Sequence, residues 1–257
     1  FPLQIQNKAS FGCTITKGKK MLEKALQKEQ YSDMILLEFG GNDCDFQWPQ
    51  IAAAPEAEHF PNTPLPLFME TYCSMIRLLQ AHNIVPIVVS LPPIDAERYF
   101  AWFTRNGLNQ ENILRWLGDV QMIYRHQELY SLAVTKIAYE TGSLFADVRS
   151  AFLDKHNYKD LLCEDGIHPF KMAVKGLAVD IRAVCQFADS NRRKRLFLNQ
   201  FQHGIADCLF RAPAAAIHRL IWLILHLFHL FSSNAPYVSI NGTLIPNQAI
   251  EIGTIVL

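Results

Sequence analysis

The stretch Asp33-Met-Ile-Leu-Leu-Glu-Phe-Gly-Gly-Asn-Asp-Cys-Asp-Phe46 decides how the rest of the chain is read. Met34 to Leu37 is an unbroken apolar run, short enough for a strand buried on both faces. It stops abruptly at two glycines, an amide and acidic side chains. Working outward, strand and helix patterns alternate. "LQIQN" (3–7) reads as a strand, and "TKGKKMLEKALQKE" (16–29) as a helix behind a Thr16 cap, with Met21, Leu22, Ala25 and Leu26 at helical spacing. After the opening stretch comes a helix over 67–83, with Leu67, Tyr72, Ile76 and Leu79 on one side, and then the strand "IVPIVVSLPP" (84–93). A long helix within 117–142 closes at Gly142, "SLFADVR" (143–149) is the next strand, and 171–188 is the last helix of the series. Repeated strand–helix units with apolar strands predict an α/β fold, a parallel sheet with helices on both faces.

Composition narrows the function classes. Half of the residues are apolar, enough for one sizeable core with an appendage. Lys plus Arg and Asp plus Glu both number 24, so the net charge is zero and no general basic field points to nucleic acid. The six cysteines lack CxxC or zinc-type spacing and read as reduced, buried thiols. No signal peptide pattern is visible at Phe1. A cytoplasmic location is the expectation, and without an initiator methionine the sequence is expected to be a piece of a longer chain.

The pattern changes after about residue 188. Residues 190–213 read as a basic linker and helix, beginning in "DSNRRKR" (189–195), and "AAAIHRLIWLILHLFHLF" (214–231) as an apolar helix with one narrow stripe holding His218, Arg219, Trp222, His226 and His229. An arginine and three histidines are costly in a hydrocarbon core, so packing in a core or on a partner is favoured over contact with a membrane surface, and that over a true span. Residues 237–257 alternate polar and apolar around an Asn-Gly turn and read as a β-hairpin-like tail.

In parallel α/β sheets ligands bind at the carboxyl ends of the strands, which is where Asn42 falls. Gly40 and Gly41 permit a tight turn from which an amide could aim its N–H at a developing negative charge. An Asx-turn in which Asn42 and Asp43 only hold the loop is the competing reading. A second motif favours chemistry: in "CEDGIHPF" (163–170), Asp165 and His168 are three residues apart on a turn, so the carboxylate can orient the imidazole as a base. Within 91–120, Tyr99, Phe100, Trp102, Phe103 and Trp116 could wall an acyl pocket or form a lid, and aromatic core packing is equally open.

At these residues the sequence resembles the SGNH, or GDSL-like, hydrolase family. "NKASFGCT" (7–14), "GGND" (40–43) and "DGIHP" (165–169) resemble three of its four blocks, over roughly residues 2–187. The resemblance implies a three-layer α/β/α domain at 1–189 with a flavodoxin-like sheet. It implies an oxyanion hole of Gly12 and Asn42, His168 as base, Asp165 as its partner, and acyl-ester hydrolysis with no metal or cofactor. Asp43, Tyr99 and Trp102 are the candidate substrate contacts, and the partner is a small acyl ester. The Gly-Asp-Ser block has no counterpart, so the nucleophilic serine is expected upstream of Phe1; Ser10 and Ser90 are weaker substitutes. The family's sheet order, 2-1-3-4-5, would then lack its first strand, leaving a gap between 3–7 and 33–39. An upstream segment, the C-terminal β-like residues, or a closed-up sheet in an inactive relative could each resolve the gap, and the first is favoured. The alternative function is a catalytically inactive SGNH-like binding or scaffold domain.

Overall fold

A computed structural model of the protein describes residues 3–28, 32–170 and 252–256. The chain starts with β1 (Leu3–Asn7), α1 (Ile15–Gln27), β2 (Met34–Leu37) and the short helices α2 (Gly41–Cys44) and α3 (Trp48–Ala53). It continues with α4 (Leu65–Ala81), β3 (Val85–Val89), α5 (Ala96–Thr104), α6 (Gln110–Leu117) and α7 (Gln121–Glu140). The last elements are β4 (Leu144–Ala146), α8 (Val148–Leu153), a 3₁₀ turn at Tyr158–Leu161, and β5 (Ile252–Val256). The fold is α/β with one parallel sheet, in the order β1-β5-β2-β3-β4.

The expected gap is filled. β5 lies between β1 and β2, with Leu3 beside Ile252 on one side and Met34 beside Thr254 on the other. Without it, both neighbours would face unpaired N–H and C=O groups in the sheet interior, at about 1–3 kcal/mol for each buried group left unmet. The C-terminal residues therefore take the position assigned to a missing first strand. Of the tail read as hairpin-like, Ile252–Val256 pairs in parallel within the main sheet, where a segment between two strands satisfies twice as many backbone groups as one beside a single strand. The chain divides into a unit of Phe1–Ala188 with Ala249–Leu257 and a unit of Asp189–Gln248. The helices expected at 171–188 and 214–231, the linker at 190–213 and most of the tail lie outside the described residues. No described helix is long and apolar enough to cross a membrane.

Alternation along the strands explains the layering. Ile35, Leu37 and Val88 pack in one cluster with Leu22 of α1, Tyr72 and Ile76 of α4, and Val134 of α7. Met34, Leu36 and Ile87, which alternate to the opposite face, are buried as well, so the sheet is covered on both sides. Two local expectations shift. Thr14 rather than Thr16 flanks α1, and on α4 Phe68 is buried while Leu67 is 46% exposed, because the helix turns its apolar stripe by one residue. Gly142, at φ +61°, follows the end of α7 as expected. A second cluster, built on Trp48, Ile51, Phe100, Ile113 and Ile123, lies under α5 and α6.

Candidate active site

Loops after β1 and β2 meet at the carboxyl edge of the sheet. After β1 the chain turns through Ser10–Cys13, the Cys13 amide donating to the Ser10 carbonyl at 3.1 Å, with Gly12 in the left-handed region at φ +65°. After β2, Gly40 adopts φ +133°, a backbone conformation that residues with a side chain rarely take, so the turn favours glycine here. Asn42 is exposed, and its Nδ2 donates to the Cys13 carbonyl at 3.4 Å. Asn62 Nδ2 donates to the Asn42 carbonyl at 2.9 Å, fixing the backbone beneath.

Asp43 differs from its neighbour. It is fully buried and its Oδ1 accepts the Ile15 amide at 2.9 Å, tying the β2 loop to the start of α1. Burial raises its carboxyl above the usual range; the nearby Thr63 hydroxyl and the Ile15 amide pull the other way. Neither Asp43 Oδ2 nor Thr63 Oγ1 completes a hydrogen bond of ordinary geometry, so the Thr63 contribution is the weaker of the two. Asp43, a candidate substrate contact from sequence, is inaccessible to a substrate and holds the loop instead. Cys44 beside it is buried, and burial pushes its thiol up, which leaves it protonated and inert.

Asp165 and His168 form a dyad. Asp165 Oδ2 lies 2.6 Å from His168 Nδ1, while Oδ1 accepts the Ile167 and His168 amides, each at 3.0 Å. A carboxylate only accepts, so Nδ1 carries the donated proton, and in the neutral ring Nε2 holds the free lone pair. The His168 side chain is 58% exposed, so Nε2 can reach a reactant. Burial alone would raise the Asp165 carboxyl, but the His168 amide and ring and the Ile167 amide outweigh it and hold it below the usual carboxylate range. His168 lies near enough to Glu38, the residue after β2, for a protonated ring to pull that carboxyl's pKa down. Protein atoms crowd the Glu38 carboxyl and raise its pKa, yet the side chain keeps an exposed surface, and solvent screening tempers the effect.

Ser90 does not substitute for the nucleophile. It is 1% exposed, its Oγ accepts the Arg149 amide at 2.9 Å and donates to Asp147 Oδ1 at 3.2 Å. It closes the junction of β3 and α8. Ser10 is exposed, on the same turn as Gly12.

The aromatic residues of 91–120 are largely spoken for. Trp48 stacks on Phe103 at 4.3 Å between centroids, and Phe46 meets Trp116 edge-on at 5.0 Å, so the packing reading describes them. Trp102 lies 3.6 Å beneath the Arg105 guanidinium. Tyr99 donates its hydroxyl to Asp45 Oδ2 at 2.8 Å, and Trp48 Nε1 donates to Asp45 Oδ1 at 2.9 Å. Asp45 and the contacts of Asp95, Arg98 and Gly166 with the dyad loop were not found from sequence. Asp45, three residues after Asn42, could have been: a further acid in that loop needs donors.

No family model and no curated protein matches the sequence. Among solved structures the chain is similar to a lipase/acylhydrolase from Enterococcus faecalis, at 18% identity and a TM-score of 0.44, over 68% of this chain and 70% of that one. It is similar to an acetyl xylan esterase from Geobacillus stearothermophilus, at 21% identity and a TM-score of 0.47, over 67% and 68%. A GDSL-like lipase from Bacteroides thetaiotaomicron is similar at 15% identity and a TM-score of 0.47, over 68% and 72%.

Proposed function

We propose that the chain carries the base and oxyanion groups of an SGNH-type acyl-ester hydrolase, with the serine nucleophile contributed from outside the described residues. The observation that supports this best is the Asp165–His168 pair, with Nδ1 bound at 2.6 Å and an exposed ring. In this reading His168 Nε2 removes the serine hydroxyl proton as the oxygen attacks the ester carbonyl. The C=O electron pair moves onto oxygen, and the Gly12 N–H and Asn42 Nδ2 stabilise that charge, at about 3–4 kcal/mol for a well-aimed donor. Collapse of the tetrahedral species breaks the C–O bond to the leaving alkoxide, which takes the proton from Nε2. Water repeats the sequence on the acyl-serine and releases the carboxylic acid.

A binding or scaffold role without catalysis is the second reading, favoured by Ser90 being buried and doubly bonded. Hydrolysis of a short-chain p-nitrophenyl ester separates the two, measured on this chain and on one extended with the encoded flanking residues at both ends. Activity that disappears in His168→Ala supports the hydrolase; an extended chain as inactive as His168→Ala supports the binding role.

A further inference from the structure

The loops bearing Asn42 and His168 are more than 120 residues apart in sequence, and both are tied to one helix that carries neither. Arg98 and Tyr99, adjacent on α5, reach in different directions. Arg98 Nη1 donates to the carbonyls of Lys159, Leu162 and Cys163, at 3.0, 3.3 and 3.3 Å, gathering the strand of chain that leads into Asp165. The two N–H bonds of this nitrogen, one of them shared between two carbonyls, form a charge-assisted clamp that a shorter side chain does not reproduce. Beside it, the Asp95 amide donates to the Gly166 carbonyl at 2.8 Å. Gly166 sits at φ +74° between Asp165 and His168, and a Cβ there would lie 2.8 Å from the Asp95 carbonyl oxygen. The dyad loop is thus pressed onto the first turn of α5 with no room for a side chain.

Tyr99 holds the other loop. Its hydroxyl bond to Asp45 fixes the residue three past Asn42, and the Asp45 carbonyl in turn accepts the Asn62 amide at 2.8 Å. Asn62 is the residue whose side chain supports the Asn42 backbone.

We infer that α5 is the template that sets the spacing between the oxyanion donor and the base, with Arg98 and Tyr99 as positioning residues for the His168 loop and the Asn42 loop respectively. This rests on the hydrolase reading for its meaning, though the two ties are independent of it. A misplacement of about 1 Å between reacting groups can cost on the order of 100-fold in rate, so a shared template on consecutive residues is an economical way to hold both.

The test uses the full protein, Tyr99→Phe, Arg98→Lys, Arg98→Ala and His168→Ala, followed by residue-resolved hydrogen exchange and by ester hydrolysis. Tyr99→Phe is expected to speed exchange at the Asn62 amide and leave the Cys163 and Phe170 amides unchanged. Arg98→Ala is expected to do the reverse, with Arg98→Lys between it and the unmodified protein. Each is expected to lower kcat about 10- to 100-fold with KM within about twofold. Exchange that is unchanged in both loops, or that rises equally everywhere, overturns the template, as does a loss confined to KM. If no hydrolysis exceeds that of His168→Ala in any sample, the hydrolase reading fails, and the exchange pattern alone still decides whether α5 holds the two loops.

Discussion

The carboxylate of Asp43 accepts the backbone amide of Ile15 at 2.9 Å, across 28 positions of sequence and inside the protein. That bond joins the loop carrying Asn42 to the helix that follows Gly12. Asp43→Ala leaves the Ile15 N–H buried without an acceptor and is expected to cost about 1–3 kcal/mol. Asp43→Asn keeps an oxygen at the same place and is expected to retain most of the stability. Urea denaturation of the two variants checks this; equal losses in both would show that charge, not acceptance from Ile15, is what matters.

Ser90 is expected to behave as a structural residue. Its hydroxyl bridges the Arg149 amide and Asp147, and Ser90→Ala strands the buried Arg149 N–H, for a loss of about 1–3 kcal/mol. Any His168-dependent ester hydrolysis is expected to survive at temperatures where the variant stays folded. Abolished hydrolysis in a folded Ser90→Ala protein would contradict the assignment.

Arg149 itself anchors the same corner. The buried guanidinium pairs with Glu128 and donates to Tyr124 Oη at 2.9 Å and to the Leu91 carbonyl at 3.2 Å. Arg149→Met removes the charge and leaves the Leu91 carbonyl unmet, with an expected loss of roughly 2–4 kcal/mol. A shift in denaturation midpoint of that size, at unchanged m-value, is the measurement.

His126 gives the fold an acid-sensitive point. Its Nε2 is buried without a hydrogen-bond partner, the ring lies 4.9 Å from Phe46 and 5.4 Å from Tyr130, and burial lowers its pKa below the usual histidine value. The unfolded chain then binds the proton more readily than the folded one. Stability is full above the unfolded value, near about 6.5, and is lost as pH falls from there through the lowered folded value. His126→Leu is expected to flatten this limb. The difference in stability between pH 7 and pH 5, compared in the two proteins, measures it.

Gly166→Ala is expected to unseat the dyad loop. A left-handed residue with a Cβ costs about 1–2 kcal/mol, and here the added carbon also meets the Asp95 carbonyl at 2.8 Å. Faster hydrogen exchange at the Ile167 and His168 amides, which Asp165 now holds, is the expected readout. An unchanged rate would show that the loop tolerates the methyl group.

Much of this was legible in residue patterns because it is local. The apolar run Met34–Leu37, the periodicity of α1 and α7, the positive-φ Gly142 and the Asp165–His168 turn all depend on residues within a few positions of one another. The same holds for the glycine turn at Gly40, whose shape needs no long-range contact to be foreseen. Patterns at this range are set by backbone sterics and by which side chains tolerate burial.

Tertiary structure decided the rest. Only the assembled sheet shows Ile252–Val256 between β1 and β2, because strand pairing is set by which backbone groups lack partners and sequence separation does not constrain it. Only packing shows that Asn42 is exposed while Asp43, read from sequence as a substrate contact, is buried. The ties from Arg98 and Tyr99 join segments more than 50 residues apart, and the spacing of a site is fixed by such contacts rather than by the residues that line it.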